Sequence, residues 1–172
     1  MVVGGTDTSS NTIEFTLAEV INNPKVKEKA QKELDEAVGK DNIVEESHIH
    51  KLPYLLAIMK ESLRLHPVLP LLVPHSPKEA FTVGGYTIRK GCMVFINAWE
   101  IHRDPCVWEN PSEFNPDRFL NSRWDFSGND FVAEEDKFDV SEKFGIVLKL
   151  KNPLVAIPLP RLSNPALYRL EL

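Results

Sequence analysis

Proline is spread so unevenly along this 172-residue chain that it divides it into two regimes. Only Pro24 and Pro53 precede residue 67, whereas eleven of the thirteen prolines fall from there onward. Each proline fixes its own backbone angle and withholds a hydrogen-bond donor. The first part can therefore build helices, while the second is confined to short strands, turns and coil. The expected architecture is α+β, a helical first part followed by small β-sheets and coil.

Three helices are legible. Ile13, Leu17, Val20 and Ile21 repeat at helical spacing until Asn22-Asn23-Pro24 interrupts them. Asn23 suits an N-cap with Pro24 at the first helical position, where its missing N–H costs nothing. Val26, Ala30, Leu34 and Ala37 mark one face of a second helix, with Gly39 as its stop signal. A third spans Tyr54 to Leu65, between Pro53 and Pro67, with Leu55, Ile58, Met59 and Ser62 along one side. Phe81-Thr82-Val83 and Tyr86-Thr87-Ile88 flank Gly84-Gly85 as a hairpin. Met93 to Ile96 reads as another strand, and Phe144–Leu150 with Leu154–Ile157 as a second hairpin around Lys151-Asn152-Pro153. Glu134 to Lys137 reads as a solvated loop.

Composition removes several classes of function. With 42% hydrophobic and 26% charged residues, the chain is of soluble globular type. A net charge of -5 with scattered Lys and Arg offers no basic patch for nucleic acid or an anionic membrane. The longest apolar runs are broken by proline, and Met1 to Gly5 lacks the flank and core of a signal peptide. The expectation is a chain without an anchor, cytoplasmic if made. Cys92 and Cys106 read as reduced buried thiols rather than a disulfide framework. His48 and His50 alternate in a polar loop, too sparse for structural zinc, so no metal site is expected. His66 beside Pro67 reads as a helix-end residue favourable to the dipole. No hydrolase elbow, zinc-protease helix or dinucleotide glycine pattern occurs.

Two constellations carry chemistry. Glu61 and Arg64 lie three apart on a helix and share a face; on the surface such a pair contributes roughly a few tenths of a kcal/mol. Leu63 and Leu65 flank it, however, and an apolar proline-rich segment follows. A buried pair needs further partners, and Arg118, framed by Phe114 and Phe119, is the natural third member. Gly4-Gly5-Thr6-Asp7-Thr8-Ser9 admits three readings. It is a capped helix start with Thr6 or Asp7 receiving orphan N–H groups, a phosphate loop lacking its Gly-Lys-Ser/Thr, or an acid–alcohol pair inside a longer helix. In the last, Thr8 bonds back to a carbonyl and bends the helix while Asp7 relays protons.

In this order, the motifs resemble the C-terminal part of a cytochrome P450. Gly4-Gly5-Thr6-Asp7-Thr8 is similar to that family's distal-helix motif, and Glu61-x-x-Arg64 to the Glu-x-x-Arg of its K helix. Phe114-x-Pro116-x-Arg118-Phe119 resembles its meander, and Trp99 to Pro105 with Trp108 the stretch before it. The wording of Val3–Thr12 and Leu69–His75 resembles plant microsomal enzymes of the flavonoid-hydroxylase-like group. Asp139–Ile146 and Pro153–Pro158 resemble the last substrate-lining turn and closing strands. Where family members carry a Phe-x-x-Gly-x-Arg-x-Cys-x-Gly loop and the helix after it, Phe131 here runs straight into Val132.

The resemblance implies that residues 1–172 are an incomplete P450 domain. Its haem-ligand loop is missing as a unit between 131 and 132, as a skipped exon or a gene-model error would leave it, and the anchor and front half are absent. Neither Cys92 nor Cys106 stands in the ligand motif, so no metal ligand is implied. For the intact family the resemblance implies haem as cofactor, with Asp7 and Thr8 delivering protons to oxygen. It implies a structural triad of Glu61, Arg64 and Arg118, and His75 as donor to a haem propionate. Gly4, Gly5, Val68, Leu69, Leu71, Leu72 and Val73 would line the substrate pocket, closed by Phe144, Gly145 and Ile146. The implied reaction inserts one oxygen atom from dioxygen into a small apolar or aromatic metabolite. Electrons would come from NADPH through a flavoprotein reductase at the cytosolic face of the endoplasmic reticulum. This chain is expected to be inactive without its thiolate, and the faces at Ile13–Ile21 and Val26–Ala37 to lose packing neighbours. The alternative is a non-catalytic fragment that binds an apolar ligand or a partner.

Overall fold

The computed structural model describes residues 2–120 and 154–156. In chain order these form α1 (Val2–Asn22), α2 (Pro24–Ala37), a 3-10 turn (Glu46–Lys51), α3 (Pro53–Leu65), β1 (Phe81–Val83), β2 (Tyr86–Ile88), the one-turn α4 (Ala98–Ile101) and a second 3-10 turn (Pro116–Phe119). The three long helices all precede residue 67, as the proline distribution requires.

α3 is the centre of the assembly and touches α1, α2 and the 116–119 turn. Its buried residues are Tyr54, Ala57, Ile58, Glu61, Ser62, Arg64 and Leu65, which surround the helix rather than marking the single stripe read from spacing. On one side Tyr54, Ile58 and Leu65 meet Val26 and Ala30 of α2 and Phe114. On another, Ala57 meets Trp108 and Phe119. Each large apolar side chain so buried contributes roughly 1.5–3 kcal/mol.

The start of α3 is capped from another helix. Its own N-cap position, Leu52, offers no side-chain acceptor, and Pro53 occupies the first turn. The Glu33 carboxylate of α2 instead accepts the N–H of Tyr54 at 2.7 Å and that of Leu55 at 2.9 Å, one on each oxygen. Negative charge at a helix N-terminus also complements the macrodipole. Glu33→Ala should therefore lower stability by about 1–2 kcal/mol, read as a shifted urea midpoint. A midpoint unchanged from the parent would show that the cap contributes nothing.

The two apolar stripes behave differently. Val26 and Ala30 of α2 are buried, while Ile13, Leu17 and Ile21 of α1 stay 54%, 49% and 45% exposed. α1 turns Asn11, Phe15 and Thr16 inward instead. Phe15 stacks on His66 with centroids 4.6 Å apart, and His66 Nε2 lies 2.7 Å from Glu19 Oε1. His66 does end α3, and it also clasps α1. Periodicity locates an apolar stripe but not its partner, and the packing face of α1 is half polar, which reads as solvent-facing. Asn23 occupies the N-cap of α2, yet its side chain turns back to donate to the Glu19 carbonyl in the last turn of α1 at 2.8 Å and leaves α2 without a side-chain cap.

Gly84 and Gly85 adopt φ of 52° and 78°, the paired left-handed geometry of a type I′ hairpin, and Phe81 pairs with Ile88 across it. The strand expected over Met93–Ile96 reduces to a single bridge between His75 and Val94 and one bond from Ile96 N–H to the Leu71 carbonyl. Its facing segment carries Pro70 and Pro74, which lack the donors a ladder needs. Leu154, Val155 and Ala156 form no strand. The remainder of the second hairpin and the loop at 134–137 lie outside the described residues.

Candidate functional site

Glu61, Arg64 and Arg118 meet in a buried ion cluster. Glu61 Oε2 accepts from Arg64 Nε at 2.7 Å; Oε1 accepts from Arg64 Nη2 at 2.9 Å, Arg118 Nε at 3.1 Å and the Asn115 N–H at 2.9 Å. Both members of the Glu61–Arg64 pair are fully buried. Arg64 spends its remaining donors on the carbonyls of His102, Pro111 and Glu113, and its guanidinium lies 5.1 Å from the Trp108 ring. Arg118 reaches the carbonyls of Glu109 and Asn110. The cluster thus ties α3 to the loop before the second 3-10 turn, meeting the requirement that a buried pair be supplied with further partners.

Beside it, α1, α3, the 67–72 segment and α4 line an open, largely apolar cavity of about 810 Å³. Thr8, Val68, Leu69 and Leu72, singled out from sequence, line it together. Asp7, one residue earlier on α1, is half-buried. Gly4 and Gly5 sit in the first turn of that helix, and Gly5 is exposed with open space where a Cβ would stand. Leu71 contributes its carbonyl to Ile96, Val73 is exposed, and His75 is exposed and engages Val94 through its backbone; none of the three lines the cavity. Phe144, Gly145 and Ile146 lie outside the described residues.

The run from Gly4 to Ser9 lies inside α1, so neither a capped start nor a loop describes it. Back-bonding along this helix includes Ser10 to the Thr6 carbonyl, Thr12 to Thr8 and Thr16 to Thr12. Leu63, Ala98, Ile101 and His102 are among the other lining residues, and the sequence assigns none of them a pocket role. Ala98, Ile101 and His102 stand at i, i+3 and i+4, a helical spacing that was legible, but α4 is too short to declare itself.

The haem implied by the resemblance requires a cysteine thiolate behind its iron. Met59 contributes the lining's sole sulfur among the described residues, and its Sδ lies 3.9 Å from Thr16 Oγ1. Cys92 is partly buried and Cys106 is exposed, contrary to the expectation of buried thiols, and neither lines the cavity. The sequence contains no third cysteine. These residues do not fit a thiolate-held haem. Among the described residues no cluster of three or more His, Cys, Asp or Glu could hold a metal ion, and no helix is long and apolar enough to cross a membrane.

Comparison with known proteins agrees with this arrangement. The cytochrome P450 family model matches residues 1–133. Cytochrome P450 76C1 of Arabidopsis thaliana is 37% identical over 204 residues, covering 95% of this chain and 40% of that protein. A flavonoid 3',5'-hydroxylase of Crocosmia x crocosmiiflora is 38% identical over 209 residues, covering 96% of this chain and 40% of the relative. A solved zebrafish cytochrome P450 with progesterone superposes with a TM-score of 0.65 at 41% identity, over 69% of this chain and 28% of its own. The chain therefore spans about two-fifths of the length of these plant relatives. With most of its length under the family model and its fold shared with a solved member, the chain belongs to the cytochrome P450 family.

Proposed function

We propose that this chain is the later part of a plant haem-thiolate monooxygenase from which the iron ligand has been removed, leaving the pocket without the catalyst. One observation carries the reading: the cavity joins Thr8 of the distal-helix motif to the 68–72 segment, and among the described residues no cysteine stands in its wall. The lengths of the alignments support a loss of sequence relative to the family. The match to the Arabidopsis relative runs over 204 residues but takes up 95% of 172, about 163 positions, so about 40 residues of the relative have no counterpart here. The family model stops at residue 133, beside the junction of Phe131 and Val132.

The parent enzyme, on this reading, hydroxylates a small apolar or aromatic metabolite with dioxygen. A flavoprotein reductase supplies its electrons at the endoplasmic reticulum membrane. In this chain Glu61, Arg64 and Arg118 keep their bracing role, while the proton-delivery role implied for Asp7 and Thr8 lapses with the loss of the thiolate. The remaining capacity is an apolar pocket, a second reading favoured by its volume and lining.

The test is spectroscopic. Haem added to the purified chain, reduced and exposed to carbon monoxide, should give no thiolate-type band; its appearance would overturn the reading. Genomic sequence between the codons for Phe131 and Val132 should recover a cysteine-bearing coding segment.

A further inference from the structure

Arg64 and His102 hold each other through two hydrogen bonds of opposite direction. Arg64 Nη1 donates to the His102 carbonyl at 2.7 Å, and His102 Nδ1 lies 3.1 Å from the Arg64 carbonyl. A carbonyl can only accept, so the network assigns the ring proton to Nδ1. The next residue repeats the contact. Arg103 Nη2 donates to the Leu65 carbonyl while its guanidinium lies over the Trp99 ring, 4.1 Å from the centroid.

Arg64 and Leu65 are the last residues of α3. Their carbonyls are among the four that a helix leaves without an internal partner, and Pro67 forbids continuation. His102 and Arg103 therefore cap α3 with side chains delivered from a distant segment. His102 also forms part of the cavity wall, with Leu63, Pro67 and Val68. Among the described residues, His102 alone both bonds a member of the ion cluster and lines the cavity.

We propose that His102 is a positioning residue, the joint through which the buried Glu61–Arg64–Arg118 cluster fixes the wall of the apolar pocket. The consequence for ligand capture rests on the pocket reading above; the mechanical role does not. Burial, with the Arg64 and Arg103 guanidiniums close by, pushes the imidazole down to about 4, so the neutral tautomer persists at neutral pH.

The test compares two polar replacements in the full chain. The amide of an asparagine keeps an N–H where Nδ1 stands, so His102→Asn preserves the bond, whereas His102→Gln carries its N–H one carbon further out. Two readouts are amide hydrogen exchange over residues 63–69 and the dissociation constant for Nile red, a neutral apolar dye. H102N should stay within about threefold of the parent in both, and H102Q should exchange faster and bind about tenfold more weakly. Equal behaviour of the two variants would overturn the assignment. If the parent binds no dye, the pocket reading fails by itself, and exchange alone still decides the role of His102. Should the Gln variant not fold, exchange about tenfold faster in H102N overturns the proposal, and exchange within about threefold supports it.

Discussion

Glu61→Ala is expected to cost this chain about 3–5 kcal/mol, a large share of the roughly 5–15 kcal/mol that holds a typical domain folded. The carboxylate is fully buried and, among the described residues, is the sole anion on Arg64 and Arg118. Its removal leaves two guanidiniums facing backbone carbonyls, one of them with no access to water. The carbonyls satisfy hydrogen bonds but not charge, so the desolvation of Arg64 goes uncompensated. Distance alone does not set this magnitude. Lys29 and Asp117 also meet at 2.7 Å, but about half of each side chain is exposed, and Asp117→Ala should change stability by no more than about 1 kcal/mol. Urea unfolding followed by circular dichroism separates the two. A Glu61→Ala midpoint within error of the Asp117→Ala midpoint would show that burial does not govern the cluster.

The same contrast explains what was legible in the sequence. Glu61, Arg64 and Arg118 declared themselves because a charged pair beside Leu63 and Leu65 must find a third partner. That rule is local enough to read from spacing and composition. Helix boundaries at Asn23-Pro24, Pro53 and Pro67 followed from backbone chemistry and needed no tertiary information. Glu33 did not declare itself as the cap of α3, since its twenty-one-residue reach to Tyr54 depends on how α2 packs. The polar inward face of α1 was hidden for a related reason: Asn11 and Thr16 resemble a solvated surface until Phe15 and Met59 are seen around them. His102 falls within the Trp99–Pro105 stretch, yet its contact with Arg64 is made only after the chain has turned back on itself.

Burial of His102 makes the fold acid-labile in a defined window. An unperturbed histidine titrates near 6.5, whereas folding pushes His102 down to about 4, chiefly by burial, with the Arg64 and Arg103 charges adding to it. Between these values the unfolded chain binds a proton that the folded chain refuses. Stability is therefore fully present above about pH 6.5 and declines as the pH falls toward 4. The shift amounts to about 3 kcal/mol over the window. Protonation would leave the Nδ1–H bond to the Arg64 carbonyl intact, so the loss comes from burying a cation in a largely apolar wall, with two guanidiniums close by. His102→Asn removes this titration while His48, His50, His66 and His75 remain in both chains and cancel in the comparison. The difference in unfolding free energy between parent and H102N should shift by about 3 kcal/mol, against the parent, from about pH 7 to about pH 4. Parallel curves for the two chains would mean that His102 meets water in the folded state and that the coupling of the ion cluster to the pocket runs through some other residue.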